Sequence, residues 1–182
     1  MFTVGSCVLK TKKGRPLTQA VQEGIQESDP QFNSLDVDVA VRCDTAEIDD
    51  EMVDHWGERW KHLKVLAASQ GGKEMLSISK YYVGKAERNG KPIINMVIVS
   101  DNGKHRSVGM ADLLRHCLIH FHDWDVPNVV HLAEESGSWE TLCSACPNCE
   151  AWEAGPRRAP AYRMALDHYE NADEVVPWQA RA

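Results

Sequence analysis

The sequence predicts an α/β protein in three layers: a mostly parallel sheet with helices on both faces, plus an irregular Cys-rich C-terminal segment. Three observations lead there. Apolar runs of strand character alternate with stretches whose apolar residues recur at helical spacing, the pattern of parallel strands joined by right-handed crossovers. The run Ile93-Ile94-Asn95-Met96-Val97-Ile98-Val99 is compact and apolar, as a central parallel strand covered on both faces requires. The periodicity then fades beyond residue 132, where Cys143, Cys146 and Cys149 crowd together.

Residues 1–9 are apolar or β-prone and read as a strand, followed by the basic loop Lys10-Thr11-Lys12-Lys13-Gly14-Arg15-Pro16. Leu17, Val21 and Ile25 repeat at helical spacing, so 17–28 is a helix ended near Asp29-Pro30. Leu35 to Val41 alternates apolar and acidic residues as a strand does, ending in Val41-Arg42-Cys43. Asp44 and Thr45 suit a helix N-cap, and Asp44, Glu47, Asp49, Asp50, Glu51 and Asp54 fit a solvated first turn that the helix dipole favours. Met52, Trp56, Trp60 (or Leu63) and Ala67 carry the apolar stripe of that helix to about residue 68. Gly71-Gly72 breaks the pattern; Met75, Ile78, Tyr82 and Ala86 define the next helix, which Asn89-Gly90-Lys91-Pro92 ends. After the strand 93–99 comes a polar loop to Arg106, then a helix whose face is Val108, Ala111, Leu114, Leu118 and Phe121, then a short strand over 129–132. Ala154 to Pro160 reads as a linker, with a terminal helix over 161–170. The expected division is therefore an α/β domain at 1–132, a Cys-rich segment at 133–153, and a linker and tail at 154–182.

Composition narrows the function. Of 182 residues 43% are hydrophobic and 26% charged, enough apolar content for a globular core. A net charge of −7 argues against a general nucleic-acid coat, whose phosphate affinity rests on clustered Lys and Arg. No apolar run approaches the ~20 residues of a membrane helix, and no basic segment precedes the apolar start Met1–Leu9 as a secretory signal demands. The expectation is a cytoplasmic protein without membrane partners.

The chemistry concentrates at Ser100-Asp101-Asn102-Gly103-Lys104-His105-Arg106-Ser107. This loop leaves the carboxyl end of the central strand and opens a helix, where open α/β sheets bind ligands. First-turn amides have no helical acceptor and the dipole adds positive potential, so a phosphate or carboxylate is the natural guest. Gly103 permits close backbone approach, Arg106 a bidentate clamp, Lys104 a mobile charge, His105 a pH-dependent donor, and Ser107 a cap or hydroxyl donor. An ordinary strand-to-helix turn accounts for Gly103 and Ser107 but not for three cationic or potentially cationic side chains at a helix start, where cations are disfavoured. The spacing also matches the cysteine phosphatases, Cys-x5-Arg-Ser/Thr, with Ser100 in the nucleophile's place. A serine hydroxyl lacks the thiolate's availability, so catalysis of that type is not expected.

This loop resembles the family of the C-terminal domain of the RNase adapter protein RapZ, which has Cys-Thr-Gly-Gly-x-His-Arg-Ser-Val between a strand and a helix. Gly103 and His105-Arg106-Ser107-Val108 match; Ser100, Asp101 and Asn102 depart. Val41-Arg42 is similar to the end of the family's Asp-Val-Arg strand, with Ala40 for the Asp, and His131 fits the His that ends its last strand. The resemblance implies a non-catalytic adapter or sensor domain for a phosphorylated small molecule, an amino-sugar phosphate in the family, or a nucleotide. Arg106 and His105 would contact phosphate beside the backbone of Asn102 and Gly103, with Arg42 joining from the neighbouring strand. It also implies RNA as a partner, which the net charge disfavours.

The cluster Cys143-x2-Cys146-x2-Cys149 is suited to tetrahedral zinc if a fourth ligand joins it. His131 is the first choice; His116, Cys117, His120 and His122 are the others. His116 and His120 are one turn apart and otherwise read as a polar helix face toward solvent. Two further functions stay open: a phosphatase-like or phosphotransferase enzyme on the same loop, with Ser100 or Asp101 attacking or acting as base, and a zinc-stabilised protein-interaction module.

Overall fold

The computed structural model describes residues 2–8, 16–28, 36–43, 45–46, 60–101, 105–122, 125–126, 129–131 and 155–173. The basic loop 10–15, all six carboxylates of the acidic cluster, Asn102-Gly103-Lys104 and the cysteines Cys143, Cys146 and Cys149 lie outside these residues. In chain order the elements are β1 (Phe2–Val8), α1 (Leu17–Ser28), β2 (Val39–Arg42), α2 (Trp60–Ala68), α3 (Gln70–Arg88), β3 (Ile94–Ser100), α4 (Arg106–Phe121), β4 (Val130–His131) and α5 (Gly155–Asn171). The protein is α/β. All described strand pairs are parallel, in the order β2-β3-β1-β4. Among the described residues no helix is long and apolar enough to cross a membrane.

Strand β3 is the centre. It pairs with β1 along its whole length, Phe2 opposite Ile94 through Val8 opposite Ser100, and with β2 from Val39 opposite Met96 to Arg42 opposite Val99. Alternate side chains of a strand face opposite ways, and both directions here are apolar. Val97 and Val99 with Ala40 pack against Val21 and Ile25 of α1. Ile94, Met96 and Ile98 with Val39 and Val41 pack against Leu63, Leu66, Leu76, Val83, Leu114 and Leu118 of the remaining helices. The entry to the sheet is fixed by polar contacts. The Val37 N–H donates to Gln22 Oε1 on α1 at 2.7 Å, the Asn95 N–H donates to Asp38 Oδ2 at 2.8 Å, and Lys91 pairs with Asp38.

Two sequence-based boundaries move. The glycine pair does not separate α2 from α3: Ser69 does, capping α3 by accepting the Gly72 N–H at 3.0 Å while donating to the Leu66 carbonyl at 2.9 Å. Gly71 and Gly72 lie in the first turn of α3 because the neighbouring backbone runs too close for any Cβ. The helix ends as expected, with Gly90 at φ 63° and the Lys91 N–H returning to the Ala86 carbonyl at 3.0 Å. The stripe on α2 also resolves: His62, Leu63, Leu66 and Ala67 are buried, and Trp60 is not among them.

The stretch read as a linker is, over 155–160, the first part of α5. Pro156 falls in the first turn, where its missing N–H has no helical acceptor to lose; Pro160 lies further in and is exposed. The helix is not a detached tail, because Ala161, Ala165 and Tyr169 join the same core as α2, α3 and α4. Lys80 of α3 donates to the Glu170 and Ala172 carbonyls at 2.8 and 3.0 Å, satisfying the end of α5. His122 bridges Glu87 Oε1, 2.7 Å from Nδ1, and the Tyr169 hydroxyl, 3.0 Å from Nε2. At the other end the Tyr162 hydroxyl donates to Asp112 Oδ2 at 2.9 Å, and the Tyr162 ring stacks on His116 with centroids 4.1 Å apart.

His116 therefore does not simply face water. Burial, followed by His120 and Arg115, holds it below the 6.5 of an exposed imidazole, and burial, followed by Lys73, lowers His168 against the opposing pull of Asp167. At these two histidines the folded protein thus holds fewer protons than the unfolded chain between the depressed values and 6.5, so their contribution makes stability fall as the pH drops through that window and is constant above it. Urea denaturation at about pH 7.5 and about pH 5 is expected to show this loss. His116→Phe, which keeps a ring on Tyr162 and cannot take up a proton, is expected to reduce it.

Candidate functional site

The sheet delivers two neighbouring strand ends to the start of α4. After Arg42 the chain stays beside β3, the Cys43 N–H donating to the Val99 carbonyl at 3.0 Å and the Cys43 thiol to the same oxygen at 3.3 Å. A tight turn follows, the Ala46 N–H donating to the Cys43 carbonyl at 3.1 Å. Parallel strands place this turn at the same end of the sheet as Ser100, the last residue of β3.

Arg106, the first residue of α4, crosses from one strand end to the other: its Nε donates to the Ala46 carbonyl at 2.6 Å. This holds the guanidinium inward and leaves its terminal nitrogens outside that bond. Ser100 and Ser107 are both buried, and Ser100 Oγ donates to Ser107 Oγ at 3.0 Å, tying the end of β3 to the first turn of α4. Ser107 therefore does not cap the helix. The residue at the N-cap position is His105, with no side-chain cap bond, and the first helical bond is from the Gly109 N–H to the His105 carbonyl at 2.9 Å. The amides of Arg106, Ser107 and Val108 consequently have no acceptor inside the helix.

Asp101, the carboxylate least compatible with an anion site, lies 3.8 Å from Arg42 Nη2. With side chains 37% and 68% exposed the pair is solvent-screened and weak, but it draws Arg42 to the mouth of the loop and offsets the unfavourable charge. Arg42, Ser100, Asp101, His105, Arg106 and Ser107 are thus brought to one end of the sheet. Asn102, Gly103 and Lys104 lie outside the described residues.

Two contributors were not found from sequence. Thr45 and Ala46 are buttressed by Gly71, where an added Cβ would lie 2.3–2.5 Å from their backbone atoms. His62 of α2 is fully buried, with its ring 5.4 Å from that of His105 at an interplanar angle of 37°. The one available signal for His62 was its position on the Leu63–Leu66 stripe, a polar residue where the spacing calls for an apolar one.

The proposed metal ligands are not gathered by the described residues, none of which form a group of three or more His, Cys, Asp or Glu suited to a metal. His131 is at the Ile98 level of the sheet, separated from β3 by β1. Of the other candidates, burial pushes the Cys117 thiol up to about 12, keeping it protonated at neutral pH. His116 is stacked on Tyr162 and His122 is engaged with Glu87 and Tyr169, while His120 is exposed with its ring edge-on to Phe121.

The chain matches no family model, no curated protein and no solved structure.

Because the site's inner wall is backbone held against Gly71, Gly71→Ala is expected to destabilise the protein by roughly 2 kcal/mol, the cost of overpacking where only backbone can yield. The measurement is chemical denaturation; a change within ~0.5 kcal/mol would show the 45–46 segment to be yielding.

Proposed function

We propose that this is a non-catalytic phosphate-ligand-binding domain, a sensor or adapter, taking a phosphosugar or nucleotide in the loop 100–107. The observation that carries the reading is Arg106 pinned by Nε to the Ala46 carbonyl beside uncapped helix amides. A guanidinium held in advance loses little rotamer freedom on binding, and helix N–H groups favour an oxyanion. The Ser100 and Ser107 hydroxyls are buried against each other at 3.0 Å, which suits a structural role better than a nucleophilic one. The likeness to the RapZ C-terminal domain family, in His105-Arg106-Ser107-Val108 and Arg42, is consistent with this proposal. The two apolar clusters, one on each side of β2 and β3, support the three-layer reading of the sheet.

Calorimetry with a hexose 6-phosphate and a nucleoside monophosphate is expected to show binding of one of them. Arg106→Ala should weaken it at least about 30-fold, as loss of charge-assisted hydrogen bonds implies. Asp101→Asn should strengthen it a few-fold at low salt, by removing a like charge from the mouth. Unchanged affinity in Arg106→Ala rejects the site; turnover of a generic phosphate ester that is lost in Ser100→Ala or Asp101→Asn would replace the binding reading with an enzymatic one.

A further inference from the structure

We propose that Gly71, in the first turn of α3, is a positioning residue of this anion site: it lets the 45–46 backbone lie against α3 and so sets the carbonyl that holds Arg106. The proposal rests on the reading of loop 100–107 as a phosphate site.

The Arg106 Nε–H donates to a main-chain oxygen, that of Ala46, at 2.6 Å, so the direction of the guanidinium depends on where that stretch of backbone lies. Two contacts place it. On the strand side the Ala46 N–H donates to the Cys43 carbonyl at 3.1 Å, and the Cys43 N–H is itself fixed to the Val99 carbonyl of β3 at 3.0 Å. On the helix side stands Gly71. A Cβ there would lie 2.3 Å from the Thr45 carbonyl carbon, 2.4 Å from its oxygen and 2.5 Å from the Ala46 nitrogen. Ordinary contact begins at 3.4 Å, so a methyl group would drive the two backbones apart by about 1 Å. That magnitude decides what happens to Arg106. At 2.6 Å the carbonyl has no room to approach Nε, and about 1 Å further off the pair is no longer a hydrogen bond. The arginine then loses its acceptor or follows it, and in either case the guanidinium is presented differently to the first-turn amides of α4.

Glycine disfavours a helix relative to alanine, and α3 carries two in its first turn. The two meet different neighbours. A Cβ at Gly72 would lie 2.0 Å from the Leu66 carbonyl oxygen, on α2, and not against the 45–46 backbone. Gly72 therefore seats α3 on α2, and Gly71 seats it on the turn after β2.

The test uses the full chain and inorganic phosphate as the probe, with affinity from calorimetry and the Arg106 Nε–H resonance and its solvent exchange followed by NMR. Gly71→Ala is expected to bind phosphate about tenfold more weakly, and to shift the Nε–H resonance and speed its exchange before any phosphate is added. Gly72→Ala, which presses on Leu66 instead, is the control: it should lose stability yet keep the affinity and the Nε–H signal of the parent. If Gly71→Ala does not fold, Ala46→Gly loosens the same carbonyl from within its own turn and carries the same expectations. Equal losses of affinity in the two glycine variants mean a general loosening of α3 and overturn the proposal. Parent protein that binds phosphate and loses it in Arg106→Ala, while folded Gly71→Ala or its substitute matches the parent in affinity and Nε–H signal, overturns the role of Gly71 and leaves the site standing. Parent protein that does not bind phosphate overturns the site and the role together.

Discussion

Burial of β3 on both edges and both faces is the constraint from which the remaining structure follows. A strand so placed has no side open to water, so each residue from Met96 to Ser100 is buried and each direction needs its own apolar partner. Helix α1 serves one direction and α2, α3 and α4 the other, with α5 packed onto these three. The same confinement fixes where the strand ends. Ser100 is delivered next to Arg42 and Cys43, and the chain then enters α4 with its first side chain pointed at the turn after β2. The candidate site is therefore a by-product of core packing at one end of a sheet, and the precision of its inner wall comes from hydrophobic burial.

Much of this was legible in sequence because the responsible signals are local. The run 93–99 stood out as a doubly covered strand, and the spacings of Leu17, Val21, Ile25 and of Val108, Ala111, Leu114, Leu118 marked their helices correctly. The order β2-β3-β1-β4 was not legible, since it depends on pairings between residues about ninety positions apart. Punctuation misled twice. Gly71-Gly72 looked like a break because glycine costs helix stability, yet here the demand is for absent side chains where two backbones nearly touch. Gly155-Pro156 and Pro160 looked like a linker, yet what holds α5 is the shared surface of three other helices, which no window of a dozen residues contains.

The site divides in the same way. Ser100, Asp101, His105, Arg106 and Ser107 could be named as candidates because they are close together in the chain, and Arg42 because its neighbours resembled a known pattern; the fold brings these six to one end of the sheet. Ala46 could not: it contributes a main-chain carbonyl, and any residue type supplies that. His62 lies forty-three positions before His105, and the contact between the rings exists only because α2 crosses the start of α4. Residue types announce side-chain chemistry. They are silent about which backbone oxygen will be in reach.

The docking of α5 has a consequence for how the chain acquires its shape. Tyr169 and Ala165 complete a core begun by Leu63 and Leu66, about a hundred positions earlier. During synthesis the described strands and the first four described helices emerge before the helix that closes their shared surface does, and until then the apolar groups of α2, α3 and α4 that α5 covers lack that cover. The contacts that complete this core are therefore non-local in sequence, and a chain ending before residue 155 lacks the helix that packs on α2, α3 and α4.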